Sequence, residues 1–190
     1  MIGPLSTPRL QLDEVRASDA DFVLELLNDP DFLTQIGDRG VRDLDAARSF
    51  ISERIHASYL EFGFGMLAVR LRSNGEPLGL CGLVRRPQLE AVDIGYAFLP
   101  AARGRGYALE AARRVQDFAT DELGIRRLLA IVRAENRPSR ALLEKLGMRP
   151  EGAVRIEPDT PQLCLYGWRA PPAAPPPADP GGQTNHTGDG

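Results

Sequence analysis

The stretch RGRGYA, residues 103–108, sets two glycines beside two arginines, directly after an apolar run at 94–99 and before a helical pattern. A strand–turn–helix junction of this kind suits an anion. The first amides of a helix lack intrahelical acceptors, the helix dipole adds positive potential, and glycine lets backbone approach a ligand closely. Two familiar phosphate loops do not fit. No Gly-x-x-x-x-Gly-Lys-Ser/Thr string occurs, and Leu109 stands where the dinucleotide pattern needs a third small residue. On the loop alone, an ordinary turn with exposed arginines competes with an anion site. Other reactive residues are sparse. Cys81 and Cys164 are far apart, neither belongs to a CxxC pair, and the histidines are His56 and His186, so neither a metal site nor a disulfide framework is expected. Cys81, in LGLCGLV, has no evident histidine partner and reads as core. His56 reads as surface or packing.

Strands and helices must hold this loop. Residues 9–15 alternate apolar and polar as a half-buried strand does. Asp19 precedes a helical stretch with Phe22, Val23, Leu26 and Leu27 on one face. Residues 28–40 read as a loop and 44–60 as a second helix. Strand-like runs at 64–71 and 78–85 flank SNGEP, whose Asn-Gly is a hairpin signal. Residues 91–99 form the strand before the loop. The helix after it, 106–123, carries Ala108, Ala111, Ala112, Val115, Phe118 and Ala119 as its apolar stripe, with Gly124 as its stop. Residues 128–132 are apolar on both faces, as in a central strand. Asn136 caps the last helix, which ends at Gly147; strands at 148–156 and 162–168 follow, with Trp168 anchoring the last. The order is β-α-α-β-β-β-α-β-α-β-β, an α/β domain with a mixed sheet over residues 1–169. Residues 170–190 are rich in Pro and Gly and read as a disordered tail.

Composition sets outer limits. Of 190 residues, 43% are hydrophobic, enough for a real core. The net charge of -3 argues against broad nucleic-acid binding, and no apolar run approaches the roughly 20 residues of a membrane span. The N-terminus lacks a signal-peptide pattern, and the two scattered cysteines suit a reducing cytoplasm. Arginine supplies every basic residue but Lys145, which with the abundant Ala, Gly and Pro suggests GC-rich, bacterial coding.

The segment VDIGYAFLPAARGRGYALEAARRVQDFATDELGIRRLLAIVRAENRPSRALLEKLGMRPEG, residues 92–152, resembles the GNAT N-acetyltransferases. RGRGYA matches that family's Q/R-x-x-G-x-G/A motif for acetyl-CoA, and ENRPS followed by LLEKLGM matches its closing helix. The opening TPRLQL and its spacing to IGYAFLP resemble the RimJ/RimL-like branch, which acetylates protein N-termini and various small amines. The resemblance spans nearly all of residues 5–169. It implies a splayed mixed sheet of about seven strands flanked by about four helices, with acetyl-CoA as co-substrate.

It also implies residue roles. The CoA pyrophosphate falls to the amides of Gly104, Gly106, Tyr107 and Ala108, with charge from Arg103 and Arg105. Pantetheine pairs with exposed backbone from Ile94 onward, mainly at Phe98 and Leu99. An amide at Ile94 or Gly95 polarises the thioester carbonyl. Asn136 lies near the pantetheine arm while also capping its helix. Asp93 matches the general base, acting through water, although a solvated strand-end carboxylate reads equally well; Glu90 is a weaker alternative. The family's usual acid, a Tyr, is replaced by Leu143, and Ser139 is the substitute, or else a first-turn serine bonding backbone. Tyr107 is expected to pack, and Tyr166 is a further phenol. The run of Asp13, Asp19, Asp21, Asp29, Asp31, Asp38, Asp43 and Asp45 either draws in a cationic amine or is a solvated face, the latter being favoured. The expected function is acetyl transfer from acetyl-CoA to a primary amine by direct attack in a ternary complex, the acceptor being a protein N-terminus. The rivals are a small amine (polyamine, amino acid or antibiotic) as acceptor, and a non-catalytic acyl-CoA-binding module. No nucleic-acid or membrane partner is expected, and the state is monomer or homodimer.

Overall fold

Leu10 and Leu12 alternate with Gln11 and Asp13, and both leucines are fully buried in strand β2 (Leu10–Glu14). A two-residue strand, β1 (Leu5–Ser6), pairs with it. The computed structural model describes residues 2–171. The other strands are β3 (Met66–Leu71), β4 (Pro77–Val84), β5 (Val92–Phe98), β6 (Arg127–Val132), β7 (Arg149–Val154) and β8 (Leu163–Arg169). They form one sheet in the order β1-β2-β3-β4-β5-β6-β8-β7. Every neighbouring pair is antiparallel except β5 and β6. That parallel pairing holds only at Val92↔Leu128 and Asp93↔Leu129; beyond it the two strands part, while β4 pairs with β5 through Phe98.

Period-2 alternation gives the sheet two apolar faces. On one, Ile94, Phe98, Leu128 and Cys81 pack with Ala111, Ala112, Val115 and Phe118 of helix α5 (Tyr107–Asp121). On the other, Ala68 and Leu80 pack with α1 (Ala20–Leu27), α2 (Pro30–Gln35), α3 (Leu44–Phe50) and a π-helical stretch (Ile51–His56) that runs into α4 (Ala57–Phe62). Helix α6 (Arg137–Lys145) follows β6 and buries Leu143 in the first core.

The elements read from the sequence are present, with three differences. There are eight strands rather than about seven, because β1 is too short to show a period. The expected loop at 28–40 contains α2, six residues long, with Asp29 accepting from Phe32 N–H at 3.1 Å and Pro30 in its first turn. The second helix is broken into α3, the π stretch and α4, so the described residues hold six α-helices rather than about four. The tail expected at 170–190 lies outside the described residues from 172 on; Ala170 still donates to Arg126 O at 2.9 Å.

Candidate active site

The parting of β5 from β6 creates the site. Backbone groups of successive residues in a strand point to alternate sides. Leu99 N–H bonds Leu78 O on the β4 side, so Ile94, Tyr96 and Phe98 turn their amides and carbonyls toward the gap. Two assignments from the sequence change here. Leu99 faces β4, and the Phe98 carbonyl accepts from Arg103 Nε at 2.9 Å, which leaves the open edge to Ile94, Tyr96 and the Phe98 N–H. Likewise Ile94, not Gly95, aims its amide into the gap.

At the wide end of the gap stands the glycine loop. Gly104 (φ +72°) and Gly106 (φ +79°) both take left-handed backbone, which disfavours any side chain there. The loop points its N–H groups outward: among the described residues, the amides from Gly104 through Leu109 donate to no protein acceptor. Arg9 braces it from β2's approach. Its Nη1 donates to Arg105 O at 3.0 Å, its Nε to Glu110 at 2.6 Å, and its guanidinium lies 4.6 Å from the Tyr107 ring centre. Tyr107 thus packs, as expected. Arg105 is exposed and forms no ion pair among the described residues. Arg103 does not face the anion position. Its guanidinium is held by Asp29 and Asp31 at the start of α2. The reason is distance in sequence: those partners lie more than seventy residues away and are invisible to a local motif.

Asp93 sits where the strands part. It is 1% exposed, so the solvated reading fails. Arg86 Nε donates to its Oδ2 at 2.5 Å, while Oδ1 is buried without a partner. Burial pushes its carboxyl up to about 6, and the Arg86 charge opposes that shift. Glu90 instead pairs with Arg127 at 2.6 Å, with 68% of its side chain exposed.

The acetyltransferase (GNAT) domain family matches residues 9–149. The chain belongs to the GNAT acetyltransferases. An uncharacterized N-acetyltransferase of Bacillus licheniformis, p20, is 30% identical over 152 residues, covering 80% of this chain and 85% of its own. An acetyltransferase structure from Agrobacterium tumefaciens is 27% identical, with a TM-score of 0.75 over 90% of this chain and 96% of that one. RimL, a ribosomal α-N-protein acetyltransferase solved with coenzyme A, aligns at a TM-score of 0.75 over 87% of this chain and 97% of that one; at 16% identity this likeness concerns the fold.

In this GNAT domain, Asn136 Oδ1 accepts from Ser139 N–H at 3.1 Å, a helix cap, while among the described residues the amide nitrogen of Asn136 has no acceptor. Ser139 Oγ meets the Tyr96 hydroxyl at 2.7 Å. Burial pushes the Tyr96 phenol well above its ordinary range, with Ser139 opposing. Sequence reasoning missed Tyr96. Its position two residues after Ile94 in β5 marks its face, but its partner lies 43 residues away. Leu143 is 1% exposed within the core and does not line the gap. Tyr166 is equally buried; its oxygen accepts from Arg140 at 3.2 Å, and it forms no hydrogen bond with Tyr96 or Ser139. Cys81 is buried, its thiol pushed up by desolvation, and both cysteines are free. His56 packs, with Nε2 2.7 Å from Val15 O.

Most carboxylates of the aspartate-rich segment are paired with arginines or cap helices. Asp13 and Asp19 pair with Arg70 at 3.2 and 2.7 Å, Asp29 and Asp31 with Arg103, Asp38 with Arg42, and Asp45 with Arg48. Asp43 caps α3 by accepting from Ala46 N–H at 2.8 Å. Asp21 is exposed with no partner among the described residues, and the side chains of Asp31 and Asp45 stay 70% and 93% exposed, so the segment is a largely solvated face with most of its carboxylates paired. Among the described residues no cluster of side chains has a metal site's composition, and no helix is long and apolar enough to cross a membrane.

Proposed function

We propose that this GNAT domain transfers the acetyl group of acetyl-CoA to a primary amine by direct attack within a ternary complex, with a protein N-terminus as acceptor. The observation that carries the reading is the gap between β5 and β6, which has unpaired backbone along one side, outward amides at its wide end and a buried carboxylate at its narrow end. Acetyl-CoA supplies the acyl group as a thioester. The amides from Gly104 to Leu109 hold its diphosphate, with Arg105 adding charge, and the edge of Ile94, Tyr96 and Phe98 aligns its pantetheine arm. Ile94 N–H polarises the thioester carbonyl. Asp93, ionised above about 6, takes the acceptor's ammonium proton through a water. The Tyr96 and Ser139 hydroxyls face the other side of the sheet, and they deliver a proton toward the departing thiolate. Burial makes the Tyr96 phenol a weaker acid, so donation by this pair rests on the position of the two hydroxyls, 2.7 Å apart, in the role that Leu143 cannot fill. That weakens the reading as a non-catalytic binding module. The resemblance of TPRLQL and its spacing to IGYAFLP to the RimJ/RimL-like branch supports the choice of an N-terminal acceptor.

Tyr96→Phe is expected to lower kcat by about 10²-fold, within the usual range for a lost proton donor, with a smaller change in KM for acetyl-CoA. Steady-state kinetics check this; an unchanged kcat removes Tyr96 from the mechanism. The function itself is tested by free-thiol release from acetyl-CoA against short peptides, polyamines, amino acids and aminoglycosides. Turnover of peptides supports an N-terminal acceptor, and turnover of small amines alone moves the protein to metabolite chemistry. Binding of acetyl-CoA with no turnover anywhere favours the binding module.

A further inference from the structure

Among the described residues the Asp93 carboxylate has a single side-chain partner. Its cross-strand neighbours are Val84 on β4 and Leu129 on β6, both apolar and without a side-chain donor. Glu90 pairs with Arg127 at 2.6 Å instead. Tyr96, further along β5, feels the Asp93 charge, but its hydroxyl meets Ser139. The partner is Arg86, in the connection between β4 and β5, whose Nε donates to Oδ2 at 2.5 Å. The Asp93 side chain is 2% exposed and that of Arg86 27%, so water screens this pair little. The other oxygen, Oδ1, is buried and has no hydrogen-bond partner among the described residues. A buried acceptor left this way calls for an explanation, because protein interiors rarely leave one unpaired.

On the reading of Asp93 as general base given above, we infer that Arg86 is its positioning residue: the guanidinium holds Oδ2, fixes the rotation of the carboxylate, and leaves Oδ1 as the atom that takes the proton. The bond between carboxyl carbon and Cβ is a soft torsion, so an unheld carboxylate turns freely. A base acts well only when its accepting oxygen is within hydrogen-bond reach of the proton or of a relaying water. Proton transfer then balances simply. The acceptor's N–H bond breaks, its electron pair stays on nitrogen, a water passes the proton on, and an O–H bond forms at Oδ1. Arg86 is unchanged throughout. Its charge has a second effect. Burial alone favours the protonated acid, which is useless as a base, and a cation at 2.5 Å restores the ionised form. Arginine suits this because it does not itself give up a proton near neutral pH. A lysine in its place keeps the charge but not the planar donor, and a glutamine keeps a donor but not the charge.

The test uses the full chain: wild type, Arg86→Lys, Arg86→Gln and Asp93→Asn. The Asp93 carboxyl is titrated by carbon-13 NMR, assigned by its loss in Asp93→Asn, and kcat/KM is followed from pH 5 to 9 as thiol release from acetyl-CoA with the peptide Ser-Ala-Ala-Ala. Arg86→Gln is expected to raise the carboxyl midpoint by at least about one pH unit, a tenfold change in proton affinity, and Arg86→Lys by less. The acidic limb of kcat/KM should move with it. Arg86→Gln should therefore lose about tenfold or more near pH 6.5 and recover toward pH 9, with Arg86→Lys in between. A midpoint that stays put in Arg86→Gln while activity still depends on Asp93 overturns the inference and leaves the base standing. A midpoint that moves while activity ignores Asp93→Asn means that the pair is real and Asp93 is not the base. A loss equal at every pH, or confined to KM, also overturns the inference, because it marks a structural or acceptor-binding role. The wild type alone gives a further check that needs no variant to fold. The Arg86 Nε–H proton resonance should shift with the carboxyl as pH passes through about 6, and a resonance that ignores that titration overturns the inference.

Discussion

Gly106→Asp is expected to weaken acetyl-CoA binding at least about a hundredfold, the equivalent of losing one or two charge-assisted hydrogen bonds. Two causes act together. Gly106 has φ +79°, so any side chain strains the backbone that aims the neighbouring amides. The new carboxylate then sits at the start of α5, where a diphosphate needs the same positive potential. Gly106→Ala carries the strain without the charge and should lose less affinity. Calorimetry with acetyl-CoA separates the two. Wild-type affinity in Gly106→Asp would mean that the amides from Gly104 to Leu109 hold no anion.

Asp93→Asn is expected to cut kcat/KM by about 10² to 10⁴-fold, the usual worth of a positioned general base. The pH profile carries the sharper test. With its carboxyl pushed up to about 6, Asp93 is protonated below that value, so kcat/KM of the wild type should fall as pH drops through about 6. That inflection should vanish in the variant. Stability runs the opposite way. The folded carboxyl holds its proton more tightly than an unfolded one, whose value is near 3.8. Its contribution to stability is therefore complete below the unfolded value and is lost as pH rises through about 6. At neutral pH the native protein keeps a charge in a buried site, so Asp93→Asn should melt no lower than the wild type while losing activity. Full activity in the variant, or a flat wild-type profile, would remove Asp93 from proton transfer.

Local signals survived the passage from sequence to structure because short-range physics decides them. Asn74-Gly75 does make the hairpin, with Gly75 at φ +76°. Ala111, Ala112, Val115, Phe118 and Ala119 are the buried face of α5, and Gly124 and Gly147 take left-handed backbone where the two last helices stop. Asn136 is the cap it was expected to be. The errors share a different origin. Whether Phe98 or Leu99 offers its amide to the gap depends on the β4–β5 register, which no single strand encodes. Arg103 looks like a phosphate ligand until Asp29 and Asp31 arrive from α2. Tyr96 carries no signal of its own until α6 sets Ser139 against it.

The commitment of Arg103 to Asp29 and Asp31 also makes the glycine loop and the first turn of α2 one mechanical body, with the Phe98 carbonyl as its third anchor. A ligand that drew Arg103 off those carboxylates would free α2, and a ligand that moved α2 would slacken the loop. Such coupling is reciprocal by thermodynamic necessity: on the reading proposed above, an acceptor that tightened α2 against Arg103 would strengthen acetyl-CoA binding at the loop by the same factor that acetyl-CoA strengthens the acceptor's.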